Sequence, residues 1–230
     1  MAFVFDPPDR PSLEVAGHDA RIPVRRIFCV GRNYAAHVRE MGNDERDPPF
    51  FFTKPADAVV EGGATIPYPP LTEDLHHEVE MVVVIGRSGA EIDEADVRGH
   101  LWGAGVGIDL TRRDLQATAK KMGRPWDWAK AFDNSAPIGA IVPLADVPSI
   151  STGRIWLSVN GEVRQDADVS DMIWPIDAHV AILSRAVRLE AGDVVMTGTP
   201  AGVGPLIPGD EVRAGIAGLP ELSVKIGPPV

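Results

Sequence analysis

Three carboxylates carry the first hint of chemistry. Glu78 and Glu80 stand two apart in HHEVEMVVVIG, residues 76–86. In a strand that spacing places both on one face, together with Val82 and Val84. The apolar run MVVVI follows Glu80 without a break, so the strand is expected to enter a core. Like charges carried into a core are costly unless a cation meets them. Asp109 ends a second apolar run, GAGVGID. Three carboxylates at strand ends can converge on one hard divalent cation, and all-oxygen ligation suits Mg²⁺, Mn²⁺ or Ca²⁺ rather than zinc. Spacing alone leaves a second reading open, in which the acids form separate salt bridges at strand rims. His76 and His77 precede the pair as ligands, orienting groups or surface residues.

Other residues could act on a ligand at such a centre. His37 and Glu40 lie three apart in YAAHVREMG, hence on one face of a helix. A carboxylate beside an imidazole holds its tautomer and raises its basicity, as a base acting on water requires. An exposed helical pair has the same spacing. Lys130, in PWDWAKAF, either stacks its stem on aromatic rings or offsets developing negative charge. Lys54, before Pro55, has the same two readings. Arg113 and Gln116 share a helix face just past Asp109 and could reach a ligand there.

The elements that must position these residues are mostly strands. RIFCVGRNY reads as a strand entering a glycine turn, and PFFFTKPADAVV as an edge or bulged strand interrupted by Pro55. RRDLQATAKKMG predicts a helix stopped at Gly123, and DEADVRGHL a shorter one. Residues 172–187 form the longest amphipathic helix candidate. Asn160-Gly161 predicts a tight hairpin between RIWLSV and EVRQDADV. WGAGVGID lacks the helix start and glycine spacing of a dinucleotide loop, and TGTPAGVG lacks the Gly-Lys-Ser/Thr of a phosphate loop. With 23 Gly and 21 Pro, the chain reads as strand-dominated α+β rather than a βαβ alternation. Residues 1–22 are expected as a short N-terminal arm, and 23–230 as one catalytic domain.

A net charge of -11 argues against nucleic acid and anionic membranes as partners, though not against a small anion held by local cations. The single cysteine, Cys29, rules out an internal disulfide and sits in an apolar run expected to be buried. No signal peptide or membrane span is visible, so a cytoplasmic location is expected.

Taken together, GRNYAAHVREMG, FFTKPADAVV, HHEVEMVVVIG, GIDLTRRDLQ, GRPWDWAKAFDNSAP, VNGEVRQ and GDVVMTGTPAGVG resemble, in order, the fumarylacetoacetate hydrolase family. The likeness is to its short, single-domain acylpyruvase branch, which includes fumarylpyruvate hydrolases. The resemblance implies a mixed β-roll or sandwich with peripheral helices, and a homodimer. It implies Mg²⁺ or Mn²⁺, with Ca²⁺ as a substitute, on Glu78, Glu80 and Asp109. It implies that His37 and Glu40 activate water, that Lys130 contacts substrate, and that Arg113, Gln116 and Thr199 line the ligand site, with Arg32 and Lys54 as further candidates. The activity implied is hydrolysis of a 2,4-dioxo acid, foremost fumarylpyruvate to fumarate and pyruvate, which ends gentisate breakdown. Oxaloacetate decarboxylation or keto–enol isomerisation would use the same metal-enolate chemistry. A non-catalytic, metal-stabilised binding protein is the alternative of a different class.

Overall fold

The computed structural model describes residues 3–35 and 48–229. The predicted helix carrying His37 and Glu40 lies outside the described residues. Strand Val79–Ile85 is buried along its whole length. It lies inside a six-stranded sheet ordered Val142–Pro143, Leu101–Ile108, Val79–Ile85, Asp193–Met196, Arg26–Gly31, Phe50–Lys54. Neighbours are antiparallel, except that Asp193–Met196 and Arg26–Gly31 run parallel.

A strand covered on both faces needs apolar side chains at successive positions, which accounts for the run MVVVI. Met81, Val83 and Ile85 join one apolar cluster with Ile155, Leu157 and Val212 of a second sheet. Val82 and Val84 join another with Ile27, Cys29 and Val194. The second sheet has five strands, Glu162–Asp168, Arg154–Val159, Glu211–Ile216, Leu222–Pro229 and Thr65–Tyr68. Its first pair is the predicted hairpin. Asn160 and Gly161 take φ of 52° and 83°, the two positive values a two-residue turn of this hand requires. The architecture is therefore strand-dominated α+β with mixed sheets, as expected. Phe50–Lys54 is an edge strand that ends at Pro55.

The glycines of WGAGVGID serve packing. Added Cβ atoms at Gly103, Gly105 and Gly107 would lie 2.3, 2.7 and 2.6 Å from Val142 O, Ile141 Cδ1 and Val82 Cγ2. The strand keeps a bare face so that residues 137–142 and the neighbouring strand can press against it. The first residues form a hairpin, Ser12–Val15 with His18–Pro23. It docks on the rest of the chain through Ala16 N–H to Ile141 O and Ile141 N–H to Glu14 O, at 3.0 and 2.8 Å.

The α-helices among the described residues are short: Arg113–Met122, Asp127–Lys130 and Ile176–Ala186. The first ends as predicted at Gly123, whose φ of 63° is left-handed. The last starts at 176 rather than 172, because Pro175 takes an extended conformation at its boundary. Glu94–His100, expected as an α-helix, is 3₁₀, and it buries Val97 and His100 three residues apart. No described helix is long and apolar enough to cross a membrane.

Candidate active site and metal centre

Glu78 and Asp109 are brought together by backbone pairing. Val79 lies opposite Ile108 in the antiparallel ladder, and Asp109 N–H donates to Glu78 O at 2.8 Å. Glu80, two residues on, pairs with Gly107 in the same ladder. One carboxylate oxygen from each of Glu78, Glu80 and Asp109 lies within 4.8 Å of the other two, and all three residues are buried.

Three buried carboxylates repel one another. Burial, then Asp109 and Glu78, push the Glu80 carboxyl well above the usual range. Lys130 offsets part of this charge, its ammonium lying 2.7 Å from Glu78 Oε2 and 2.6 Å from Asp109 Oδ2. Burial works against that ammonium, but the two carboxylates prevail and raise its pKa. The salt bridges that spacing left open are therefore present, but on one shared cluster rather than at separate rims. The Arg113 guanidinium also pairs with Glu78, and its second nitrogen donates to Gln116 Oε1 at 2.6 Å.

The donor set fits a divalent cation. It is all oxygen, it carries three carboxylates, and Asp109 Oδ1 is buried without a hydrogen bond. Lys54 Nζ forms an ion pair with that atom at 2.8 Å, which engages one side of the oxygen. A lone pair of Asp109 is thus left for a ligand bond. Beside the carboxylates is a cavity of about 30 Å³, room for an ion or a water.

The GDVVMTGTP segment supplies the opposite wall. Strand Asp193–Met196 leads into Gly198, whose N–H donates to Glu80 Oε2 at 2.7 Å. Gly198 has φ of 95°, and a Cβ there would lie 2.6 Å from Asn33 Cβ, so glycine is required. Thr199 lines the cavity, its hydroxyl accepting from Gln165 Nε2 at 2.8 Å.

Arg32, Arg113, Gln116, Lys130 and Thr199 all border the same cavity as the three carboxylates. Lys54 is placed differently. It is buried behind the carboxylates, donating to Lys130 O and, at 3.2 Å, to Leu110 O while pairing with Asp109. Its position supports the acids rather than facing the cavity. His37 and Glu40 lie outside the described residues. His77 is buried against Gln165 Oε1 at 3.1 Å, and burial lowers its pKa to about 4. His76 Nε2 donates to Asp74 Oδ1 at 2.9 Å, and its Nδ1 accepts from Arg113 Nε at 3.4 Å, so it steadies the arginine.

Two contributors escaped the sequence reading. Gln165 accepts from Val79 N–H at 3.0 Å, 86 residues before it, and donates to Thr199, 34 residues after it, and to Pro200 O, tying the acidic strand to the glycine turn. Nothing in its local pattern announces that. Lys120 also lines the cavity, and it did leave a signal: with Arg113 and Gln116 it completes an i, i+3, i+7 face on one helix. Burial, then the neighbouring Arg113 and Arg32 charges, lower its pKa to about 8.

A second, wider cavity of about 520 Å³ adjoins the first and shares Arg32, Phe52, Trp126 and Lys130 with it. Its walls are aromatic. The Phe50 and Trp126 rings meet edge to face at 5.2 Å, and Phe52 lies 5.7 Å from Trp126. The site thus has a small ionic end and a larger aromatic end.

Comparison with known proteins agrees with this geometry. Residues 26–227 match the family model described as fumarylacetoacetate (FAA) hydrolase C-terminal. The structure of fumarylpyruvate hydrolase from Pseudomonas aeruginosa in complex with Mn²⁺ and pyruvate is 48% identical, with a TM-score of 0.96 over 98% of this chain and 99% of that one. A structure from Burkholderia cenocepacia, named provisionally as a fumarylpyruvate hydrolase, is 55% identical, with a TM-score of 0.94 over 100% and 96% of the two chains. Among curated proteins, the human mitochondrial oxaloacetate tautomerase FAHD1 is 42% identical over 205 residues, which are 89% of this chain and 93% of that protein. With a family model matched over most of its length and relatives this similar in sequence and fold, the chain belongs to the fumarylacetoacetate hydrolase family.

Proposed function

We propose that this protein is a metal-dependent hydrolase that cleaves the C3–C4 bond of a 2,4-dioxo acid, foremost fumarylpyruvate. One observation carries the reading. Three buried carboxylates converge with Lys130 on a space of ionic size, and that space opens into a larger cavity bordered by cations. The Pseudomonas aeruginosa relative, whose structure contains Mn²⁺ and pyruvate, supports it.

In this reading Glu78, Glu80 and Asp109 hold Mn²⁺ or Mg²⁺. A divalent cation held there supplies Lewis-acid stabilisation of charge developing on a 2-oxo group. Arg113, Gln116 and Thr199 receive the pyruvoyl carboxylate and fix its orientation. Lys130, already within reach of two of the acids, donates to the oxygen on which negative charge grows. Lys54 stays behind the site and holds Asp109. His37, oriented by Glu40, takes a proton from water, and the hydroxide adds to the C4 carbonyl. The C3–C4 bond then breaks, and its electron pair leaves as the enolate of pyruvate. Protonation at C3 releases pyruvate, and the acyl half leaves as a carboxylate.

The second reading is oxaloacetate keto–enol isomerisation or decarboxylation, favoured by the human relative's name, oxaloacetate tautomerase. These reactions need the enolate-stabilising half of the site but no attacking water. A homodimer in the cytoplasm, acting in gentisate breakdown, completes the proposal. The exposed Trp128 and Met122 beside an apolar hollow lined by Leu115, Ala119 and Pro125 suit a second copy, which light scattering would test.

The deciding experiment assays purified protein with fumarylpyruvate, acetylpyruvate and oxaloacetate, each with Mg²⁺, with Mn²⁺ and with EDTA. Metal-dependent loss of the dioxo-acid absorbance, far faster than turnover of oxaloacetate, is the expected result. Faster turnover of oxaloacetate than of either dioxo acid would overturn it in favour of the second reading.

A further inference from the structure

The charges around the site do not sum to what a pyruvoyl group needs. At the inner end, Lys54, Lys130 and Arg113 each pair with a carboxylate of the acidic triad. In the reading above, the pyruvoyl carboxylate is received by Arg113, Gln116 and Thr199. Among the described residues two further cations border the site, on a chain whose net charge is -11. Lys120 and Arg32 border the inner cavity, and Arg32 also borders the aromatic one. Neither makes an ion pair with a described residue.

Both are held where a solvated surface charge would not be. Lys120 is partly buried, with its ammonium 5.2 Å from the centre of the Trp126 ring. Arg32 takes a φ of 58°, a left-handed conformation that is unfavourable for a residue with a side chain. Its guanidinium carbon lies 5.4 Å from the Phe50 ring centre, and its Nε is buried without a hydrogen-bond partner among the described residues. Gly31, just before it, accepts the Phe50 ring at a distance no side chain would allow, since a Cβ would lie 2.1 Å from Phe50 Cζ. The strand end is thus shaped to bring Arg32 and Phe50 together.

The helix Arg113–Met122 sets the spacing. Arg113 reaches inward to Glu78, Gln116 follows on the same face, and Lys120 stands two turns from Arg113, about 10 Å along the axis. A ligand whose carboxylate end lies at Arg113 and Gln116 would direct its far end along this face, between the aromatic walls, towards Lys120 and Arg32.

We propose that Lys120 and Arg32 form a clamp for a second, terminal carboxylate on the acyl half of the substrate. Phe50, Phe52 and Trp126 form an aromatic wall along which the planar unsaturated chain lies between the two charged ends. This rests on the acylpyruvate reading above and deepens it: the protein selects acyl groups that end in a carboxylate over those that end in a methyl group. Lys120 and Arg32 act on specificity and take no part in bond cleavage.

The test has two arms, so that the clamp and the reaction can fail separately. In the first, calorimetry of the Mn²⁺-loaded protein compares fumarate with crotonate, which has a methyl group where fumarate has its second carboxylate. Fumarate should bind at least tenfold more tightly. Lys120→Met and Arg32→Gln should each remove most of that preference, while Lys120→Arg retains it. In the second arm, the ratio of kcat/KM for fumarylpyruvate over acetylpyruvate should fall at least tenfold in Lys120→Met, mainly through KM. Equal binding of fumarate and crotonate by the unaltered protein, or equal losses for both substrates in Lys120→Met, would overturn the clamp. Should the protein hydrolyse neither acylpyruvate, the reaction assignment fails, and the calorimetric arm still decides the clamp. Circular dichroism of each folded variant excludes global unfolding as the cause.

Discussion

Lys54 Nζ lies 2.8 Å from Asp109 Oδ1, and both side chains are sealed from solvent. The lysine is held by the carbonyls of Leu110 and Lys130, which fix it behind the carboxylate rather than in the cavity. Removing the sole partner of a buried charge costs about 3–5 kcal/mol; here Lys130 still meets Asp109 at 2.6 Å, so the loss is a part of that. Lys54→Met should therefore lower the Tm strongly in EDTA. Mn²⁺ should restore part of it, because the metal replaces the missing positive charge. Thermal melts with and without metal check this, and equal losses in both conditions would contradict it.

Glu80→Gln should separate stability from metal binding. Glu80 is the acid whose ionisation suffers from burial and from its two acidic neighbours. The amide keeps the volume, and its carbonyl still accepts from Gly198 N–H. In EDTA the variant should melt at a higher temperature than the unaltered protein, since one of three repelling charges has gone. Mn²⁺ affinity, read by calorimetry, should fall at least tenfold.

His37→Ala tests the water-activating dyad. It should bind Mn²⁺ as before and lose acylpyruvate hydrolysis by roughly 10²-fold or more, the size of general-base effects. Turnover of oxaloacetate, which needs no activated water, should fall less. Parallel losses for both substrates would count against the division of labour proposed for the site.

His179 makes stability depend on pH. It is fully buried in helix Ile176–Ala186, and burial lowers its pKa from 6.5 to about 4. The unfolded chain takes up this proton near pH 6.5 and the folded chain only near 4. Stability is therefore complete above pH 6.5 and is lost as pH falls towards 4, by roughly 2 kcal/mol at pH 5 from this residue. Denaturant unfolding between pH 7 and pH 5 should show that fall, and His179→Gln should reduce it by about half, the remainder coming from His77, whose pKa is lowered by burial in the same way.

Much of the site could be read along the chain because it is built from strand periodicity. Two acids at i and i+2 before MVVVI, and a third at the end of GAGVGID, are local patterns. The hairpin at Asn160-Gly161 and the helix stop at Gly123 rest on local backbone preferences in the same way. Lys54 shows the limit. Its sequence neighbours say that it is a lysine before a proline in an aromatic strand. Only the packing of that edge strand against the segment carrying Lys130 decides that its ammonium meets Asp109 and not a ligand. Gln165 shows it more sharply, since the hydrogen bonds that tie Val79 to Thr199 join three distant segments. By itself the sequence determined which residue types were present, their alternation between faces, and the likeness to one family. Tertiary structure alone decided which charges pair and which are left facing the cavity, because burial and cross-strand register set those distances, and neither is a property of local sequence.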